Sequence, residues 1–303
     1  MDEFPNGFTP DLRRPGRWPS LTGRWRLWRD PALAALTYAE LHRLIQSLVR
    51  GRGQAILDVG CGSGFLSLEL ARAGHRVTGI DPDPAAIALA RRTHETDRPG
   101  VRRDSLEYQV AGIQEWEAGA GRYDLIVFCR SLHHVPDPAE ALARAARWLR
   151  PEGQMVCVEF AYDRFDHRAA GWLCRTRRLC ALAGWVELLE RPGVPPVAAD
   201  LNADLDRATE ATYDGWMRWR RDHGLNVFEA MRGPLTRLFR QTHWSWHPYL
   251  YWEILQDMRV PVDDPAARAA QALRDAERWL IHAEQLTPVL FAFAGTPLRA
   301  DAM

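Results

Sequence analysis

Short apolar runs recur along the first half of the chain, several of them closed by glycine or aspartate and followed by residues of helical period. Ile56, Leu57 and Val59 predict a first strand, and residues 76–80, 106–110, 123–130 and 154–160 predict four more. Between them, residues 65–73, 84–94 and 138–149 carry helical spacing. Strand and helix in alternation predict a parallel sheet covered by helices. Ahead of the first strand, Asp30 and Pro31 form an N-cap followed by a proline at the first helical position. Leu33, Leu36, Leu41, Leu44, Ile45 and Leu48 then repeat at helical intervals, which predicts one amphipathic helix over residues 32–50.

Beyond residue 160 the pattern changes. Helical spacing over 167–190, a proline-rich break at 191–196, and further helices near 205–223 and 227–239 exceed what one connection between strands requires, and read as a helical insertion. Residues 236–247 predict a sixth strand, 265–285 a long helix rich in alanine and arginine, and 287–295 a last apolar strand. Residues 1–23, rich in proline, glycine and arginine without a period, read as an arm. The organisation expected is therefore an arm and helix over 1–50, a core over 51–160, an insertion over 161–235, and the end of the sheet over 236–303.

Composition narrows the function classes. The 303 residues hold no lysine; 39 arginines balance 39 acids. A dedicated nucleic-acid binder usually shows a basic excess or stripe, so none is expected here. Cys61, Cys129, Cys157, Cys174 and Cys180 form no C-x-x-C pair, and an odd number leaves one unpaired in any disulfide scheme, which suits a reduced, cytoplasmic protein. Asp2 and Glu3 stand where a signal peptide would be basic and then apolar, and no run approaches the length of a membrane span.

The first strand runs into Gly60-Cys61-Gly62-Ser63-Gly64. Glycines at alternate positions allow φ > 0 and remove the Cβ atoms that would keep a ligand off the backbone. A dinucleotide fold places a further small residue after this turn to pack the helix on the sheet, and Phe65 there argues against NAD. Asp58, just inside the strand end, suits a ligand bearing an ammonium group. The run Asp58-x-Gly60-x-Gly62-x-Gly64 resembles the first motif of the class I S-adenosyl-L-methionine (SAM) dependent methyltransferases. The resemblance extends to Asp81 after the second strand, to residues 123–137 and to residues 149–160. It implies an α/β fold: a Rossmann-like seven-stranded methyltransferase sheet with an N-terminal helical lid and a helical cap insertion after the fifth strand. It further implies SAM held by Asp58, Gly60, Cys61, Gly62 and Gly64, with Asp81 and Pro82 at the ribose. The family's acid for the adenine amino group is replaced here by glycine, so the backbone of Gly112 and Ile113, with Gln114 or Glu115, is left for that task. Cys129, at the carboxyl end of the fourth strand, is expected among the cofactor contacts, and the loop over 131–138 opens toward the transferred methyl group.

For the chemistry, His133 and His134 on the loop after the fourth strand are the best general-base residues, since imidazole titrates near neutrality. That loop sequence is also common in the family whether or not its histidines act. Cys61 has no partner base and reads as packing. His243 and His247 sit four residues apart without further ligands, so no metal is expected. Thirteen tryptophans, several of them beyond residue 160, suit a flat apolar acceptor as well as an ordinary helical core. Trp28, Tyr38, Tyr162, Trp216 and Trp219 are the substrate contacts expected, with Trp25 a further lid residue. The function expected is methyl transfer to oxygen, nitrogen or carbon of a small aromatic or heteroaromatic molecule, with secondary metabolism as its setting and no nucleic-acid or membrane partner. A non-catalytic SAM-binding regulator and an RNA or protein methyltransferase are the alternatives.

Overall fold

The computed structural model describes residues 27, 30–96, 103–188, 204–260 and 262–298. Its centre is a seven-stranded sheet. Strands β1 (Ala55–Val59), β2 (Arg76–Asp81), β3 (Leu106–Val110), β4 (Tyr123–Cys129) and β5 (Leu149–Phe160) are parallel, and β6 (Phe239–His247) and β7 (Leu290–Pro297) complete the order β3-β2-β1-β4-β5-β7-β6. β7 runs antiparallel to both β5 and β6. Alternation sorts the side chains into two apolar layers. Ile56, Leu125, Val127, Val156 and Val158 point to one face, while Leu57, Ile126, Phe128, Met155 and Cys157 point to the other. Both faces are covered, so the inner strands are buried along nearly their whole length, as parallel strands are.

One face is covered by α1 (Pro31–Leu36), α2 (Tyr38–Leu48), α3 (Phe65–Arg72), α4 (Pro84–Thr96), α6 (His167–Leu182), α7 (Leu205–Asp222), α9 (Leu250–Leu255) and α10 (Asp264–His282). The other is covered by α5 (Pro138–Trp148) and α8 (Phe228–Leu238), where Ala141, Leu142 and Ala145 meet Met231 and Leu235. The insertion is thus divided. α8 lies against the sheet beside α5, and only α6 and α7 stand on the face of the N-terminal helices.

Three expectations are corrected locally. The single helix over 32–50 is two helices, because Thr37 leaves helical geometry (φ −117°, ψ −85°) with its hydroxyl donating to the Leu33 carbonyl at 2.7 Å; such back-bonding competes with the helix ladder. The helix over 167–190 stops at Leu182, since Gly184 takes φ 77° and Trp185 closes the end onto the Cys180 carbonyl. The proline-rich break at 191–196 lies outside the described residues. β5 begins at Leu149, ahead of the expected start, and residues 151–153 are looped out between the pairs Tyr123–Leu149 and Leu125–Gln154. α9 was not expected at all. Every one of its six residues is buried, so no polar stripe marks it, and its first turn is held by Glu277, whose carboxylate accepts the amides of Tyr249, Leu250 and Tyr251.

Candidate active site

A cavity of about 480 Å³ opens at the carboxyl ends of β1, β2 and β4, beside the switch in strand order where α/β sheets bind ligands. The glycine turn forms its floor. Gly60 and Cys61 donate their amides to the Ile80 carbonyl at 2.8 and 3.0 Å, which ties the turn to the end of β2. Gly60 takes φ 71°, and a Cβ there would lie 2.4 Å from the Ser131 Cβ, whereas a Cβ at Gly62 would meet nothing within 4 Å. The first glycine is therefore required by the β4 loop, and the second faces open space. Gly64 also has positive φ, but it is not on the cavity wall; its missing Cβ makes room for Tyr108, whose hydroxyl donates to the Gly64 carbonyl at 2.9 Å.

The acids are placed by their neighbours. Asp58 is 1% exposed and accepts the Ser67 hydroxyl at 2.6 Å; burial pushes its carboxyl up to about 6, against that hydrogen bond. Asp81 accepts the Gly62 amide at 2.8 Å and the Asp83 amide at 2.9 Å. A carboxylate has about four lone-pair sites, so two remain after its orientation is fixed. Pro82, Gly112, Ile113, Gln114 and Cys129 line the same cavity. The Gln114 Nε2 is buried without a hydrogen-bond partner, which leaves an amide at the place where the family's adenine acid is missing.

The loop after β4 is fixed from below. Glu159, fully buried, accepts the amides of Ser131 and Leu132 and bonds the His133 ring Nδ1 at 2.6 Å. Asn226, between α7 and α8, donates to the carbonyls of Leu132 and Val135 and takes the His133 carbonyl on its own amide. The two histidines are thereby separated. His133 is buried against Glu159, and His134 lines the cavity. His134 stays exposed at the cavity mouth, yet partial desolvation by its surroundings, followed by the neighbouring His133, lowers its ring to about 4, so it is neutral at pH 7.

Of the aromatic residues expected at the acceptor, Tyr38 reaches the cavity wall. Tyr162, Trp216 and Trp219 do not: Trp216 is fully buried and stacks on Phe165 at 4.0 Å, while Tyr162 packs on Phe160 and Trp219. A helical period identifies a buried face without saying whether the burial is against protein or ligand. Trp25 and Trp28 lie outside the described residues. Sequence reasoning missed Leu41, Phe65, Arg130 and Ser131 in the wall, and Ser67, Tyr108, Glu159 and Asn226 behind it. Glu159 did leave a signal, as an acid within the otherwise apolar run of β5. Among the described residues no group of three or more His, Cys, Asp or Glu could hold a metal ion, and no helix is long and apolar enough to cross a membrane.

A mixed seven-stranded sheet with a glycine turn after β1 and an acid after β2 defines a Rossmann-like, nucleoside-cofactor-binding transferase of the class I type. The chain belongs to the methyltransferase domain family, whose model matches residues 14–212, and the cofactor of that family is SAM. It is 34% identical over 139 residues to a ubiquinone biosynthesis O-methyltransferase of Nitrosococcus oceani, a match covering 46% of this chain and 55% of that protein. With the protein of the same description from Marinobacter nauticus it shares 32% over 154 residues, 50% of this chain and 63% of the other. The match to the one from Aromatoleum aromaticum is 39% over 105 residues, covering 34% and 42%. The chain thus spans about half the length of these relatives. Among solved structures it resembles geranyl diphosphate C-methyltransferase from Streptomyces coelicolor A3(2), solved with Mg²⁺, geranyl diphosphate and S-adenosyl-L-homocysteine, with a TM-score of 0.54 at 14% identity over 88% of this chain and 81% of that one. Phosphoethanolamine N-methyltransferase 2 from Haemonchus contortus, solved with SAM, gives 0.52 at 14% identity over 86% and 53%. At such identity the likeness is one of fold.

Proposed function

We propose that the protein transfers the SAM methyl group to an oxygen of a small, flat, largely apolar acceptor. The observation that carries this is one cavity in which the glycine turn and Asp81 meet a neutral His134 and a wall of Tyr38, Leu41, Phe65, Leu66, Val135 and Pro136. The ungated backbone at Gly62, the free lone pairs of Asp81 and the unpartnered Gln114 amide fit the cofactor's main chain contacts, ribose and adenine. Asp58 is set to face an ammonium group. When bound, the cofactor supplies an electrophilic methyl carbon on a sulfonium.

The chain's own part is then orientation and one proton. Holding two partners in line contributes roughly 7 to 11 kcal/mol in favourable systems. A hydroxyl acceptor would give up its proton as the methyl carbon passes from sulfur to its oxygen and the sulfonium leaves as a neutral thioether, and the neutral His134 ring would take that proton. Glu159 and Asn226 hold the loop that presents His134. Oxygen is favoured over nitrogen or carbon by the names of the relatives, which are those of O-methyltransferases. The same names speak of ubiquinone biosynthesis and lend no support to a role in secondary metabolism. Incubation of the purified protein with radiolabelled SAM and a panel of catechols, aliphatic alcohols and aromatic amines tests the reading. Label on the phenolic oxygens is expected; label confined to amines, or SAM binding with no turnover on any acceptor, overturns it.

A further inference from the structure

Arg130 has no part in the function as described, yet among the described residues it is the only basic one other than His134 that lines the cavity. It follows β4 directly and takes φ 55°, a left-handed conformation uncommon outside glycine. Its amide bonds the Val158 carbonyl at 2.8 Å, and the next amide is held by Glu159, so the neighbourhood imposes the turn. The guanidinium lies 5.3 Å from the Tyr38 ring centroid, 5.2 Å from that of Trp252 and 6.0 Å from that of Phe160. Among the described residues it makes no ion pair with a carboxylate. Two buried acids of the neighbouring segments are committed elsewhere, Glu159 to the loop and to His133, and Glu253 to the Tyr249 hydroxyl. Aromatic faces attract a cation but leave the donors of its planar fork free for a two-oxygen anion. Backbone strain of this kind persists where it serves a ligand.

The cavity therefore holds two acids, Asp58 and Asp81, and one arginine, with Asp58 near the end of β1 and Arg130 just beyond the neighbouring β4. We propose that Arg130 is the carboxylate receptor of this cavity, docking a ligand carboxylate through its guanidinium fork while the Tyr38–Trp252–Phe160 cage orients it. The carboxylate is either that of the cofactor's amino-acid end, whose ammonium would face Asp58, or one carried by the acceptor. The inference rests on the cofactor reading above, and its test separates the two sources. Calorimetry on the full chain compares SAM with decarboxylated SAM, and 4-hydroxybenzoate with its methyl ester, in wild type, R130Q and R130K. A cofactor carboxylate predicts that R130Q loses roughly ten- to hundred-fold in affinity for SAM and little for the decarboxylated form. An acceptor carboxylate predicts the same loss for 4-hydroxybenzoate alone. R130K, which keeps the charge without the fork, is expected to lie between, and carries the test should R130Q fail to fold. Equal losses for both members of each pair, or a wild type that distinguishes neither pair, overturn the proposal. A wild type that does not bind SAM at all removes the cofactor reading instead, and the hydroxybenzoate pair then judges Arg130 by itself.

Discussion

Asp58 carries a carboxyl raised by burial to about 6 and faces the cavity in which an ammonium group is expected. An ammonium favours the ionised carboxyl, so cofactor affinity is present above that value and is lost as pH falls through it. Titration of SAM from pH 8 to pH 5 should show weakening of up to about tenfold per unit below 6, and D58N should bind weakly with a flat profile; a wild-type profile as flat as the variant's refutes the pairing. Asp81 is different, because its orientation is fixed by two backbone amides and its remaining lone pairs are available to a ribose. Charge-assisted hydrogen bonds contribute roughly 1.5 to 3 kcal/mol, so D81A should weaken SAM by about ten- to hundred-fold in calorimetry. Unchanged affinity in a folded variant removes Asp81 from the site. For His134 the structure changes the argument made from the sequence. The ring is not poised near neutrality but is lowered to about 4 by partial desolvation and by His133. H134A should lower turnover by roughly 10² to 10⁴ fold with SAM affinity retained, and the wild-type rate should show no ionisation of this ring between pH 6 and 8. Near-normal turnover in H134A leaves the histidine as a wall residue.

At the scale of elements, the turn from β1 to α3 was legible because it is local. Its glycines, the strand before it and the helix after it are contiguous, and hydrophobic period with three glycines suffices to place them. What each glycine answers to was not legible, since the answers come from distant residues: Ser131 for Gly60 and Tyr108 for Gly64. G64A sets a Cβ 2.4 Å from the Tyr108 hydroxyl at φ 80°, and should destabilise the protein by about 1 to 3 kcal/mol through strain and displaced packing. A melting temperature equal to that of wild type contradicts that account. The break at Thr37 and the helix α9 escaped notice for a related reason. Thr37 ends a helix whose apolar period continues unbroken through it, and α9 is buried on all sides, so neither leaves a mark in the pattern of apolar and polar positions.

For the whole molecule, the question is which buried aromatic residues belong to the core and which to the ligand. Trp216 projects from α7 onto the turn at 162–164, against Tyr162 and stacked on Phe165, and does not line the cavity. W216A should therefore cost about 3 to 5 kcal/mol of stability while leaving the cofactor affinity of the folded fraction unchanged. A selective loss of acceptor binding with normal stability would return Trp216 to the substrate contacts. The alternation of strands with helices, the parallel sheet it implies and the cofactor turn follow from local patterns, which a chain read one segment at a time contains; the strand order does not. Which sheet face α8 covers, which of two adjacent histidines reaches the cavity, and the juxtaposition of Arg130 with Tyr38 and Trp252 depend on contacts between segments far apart in the chain, up to 214 residues for Tyr38 and Trp252. Those were decided by tertiary packing alone, because burial against protein and burial against a ligand impose the same apolar pattern on a sequence.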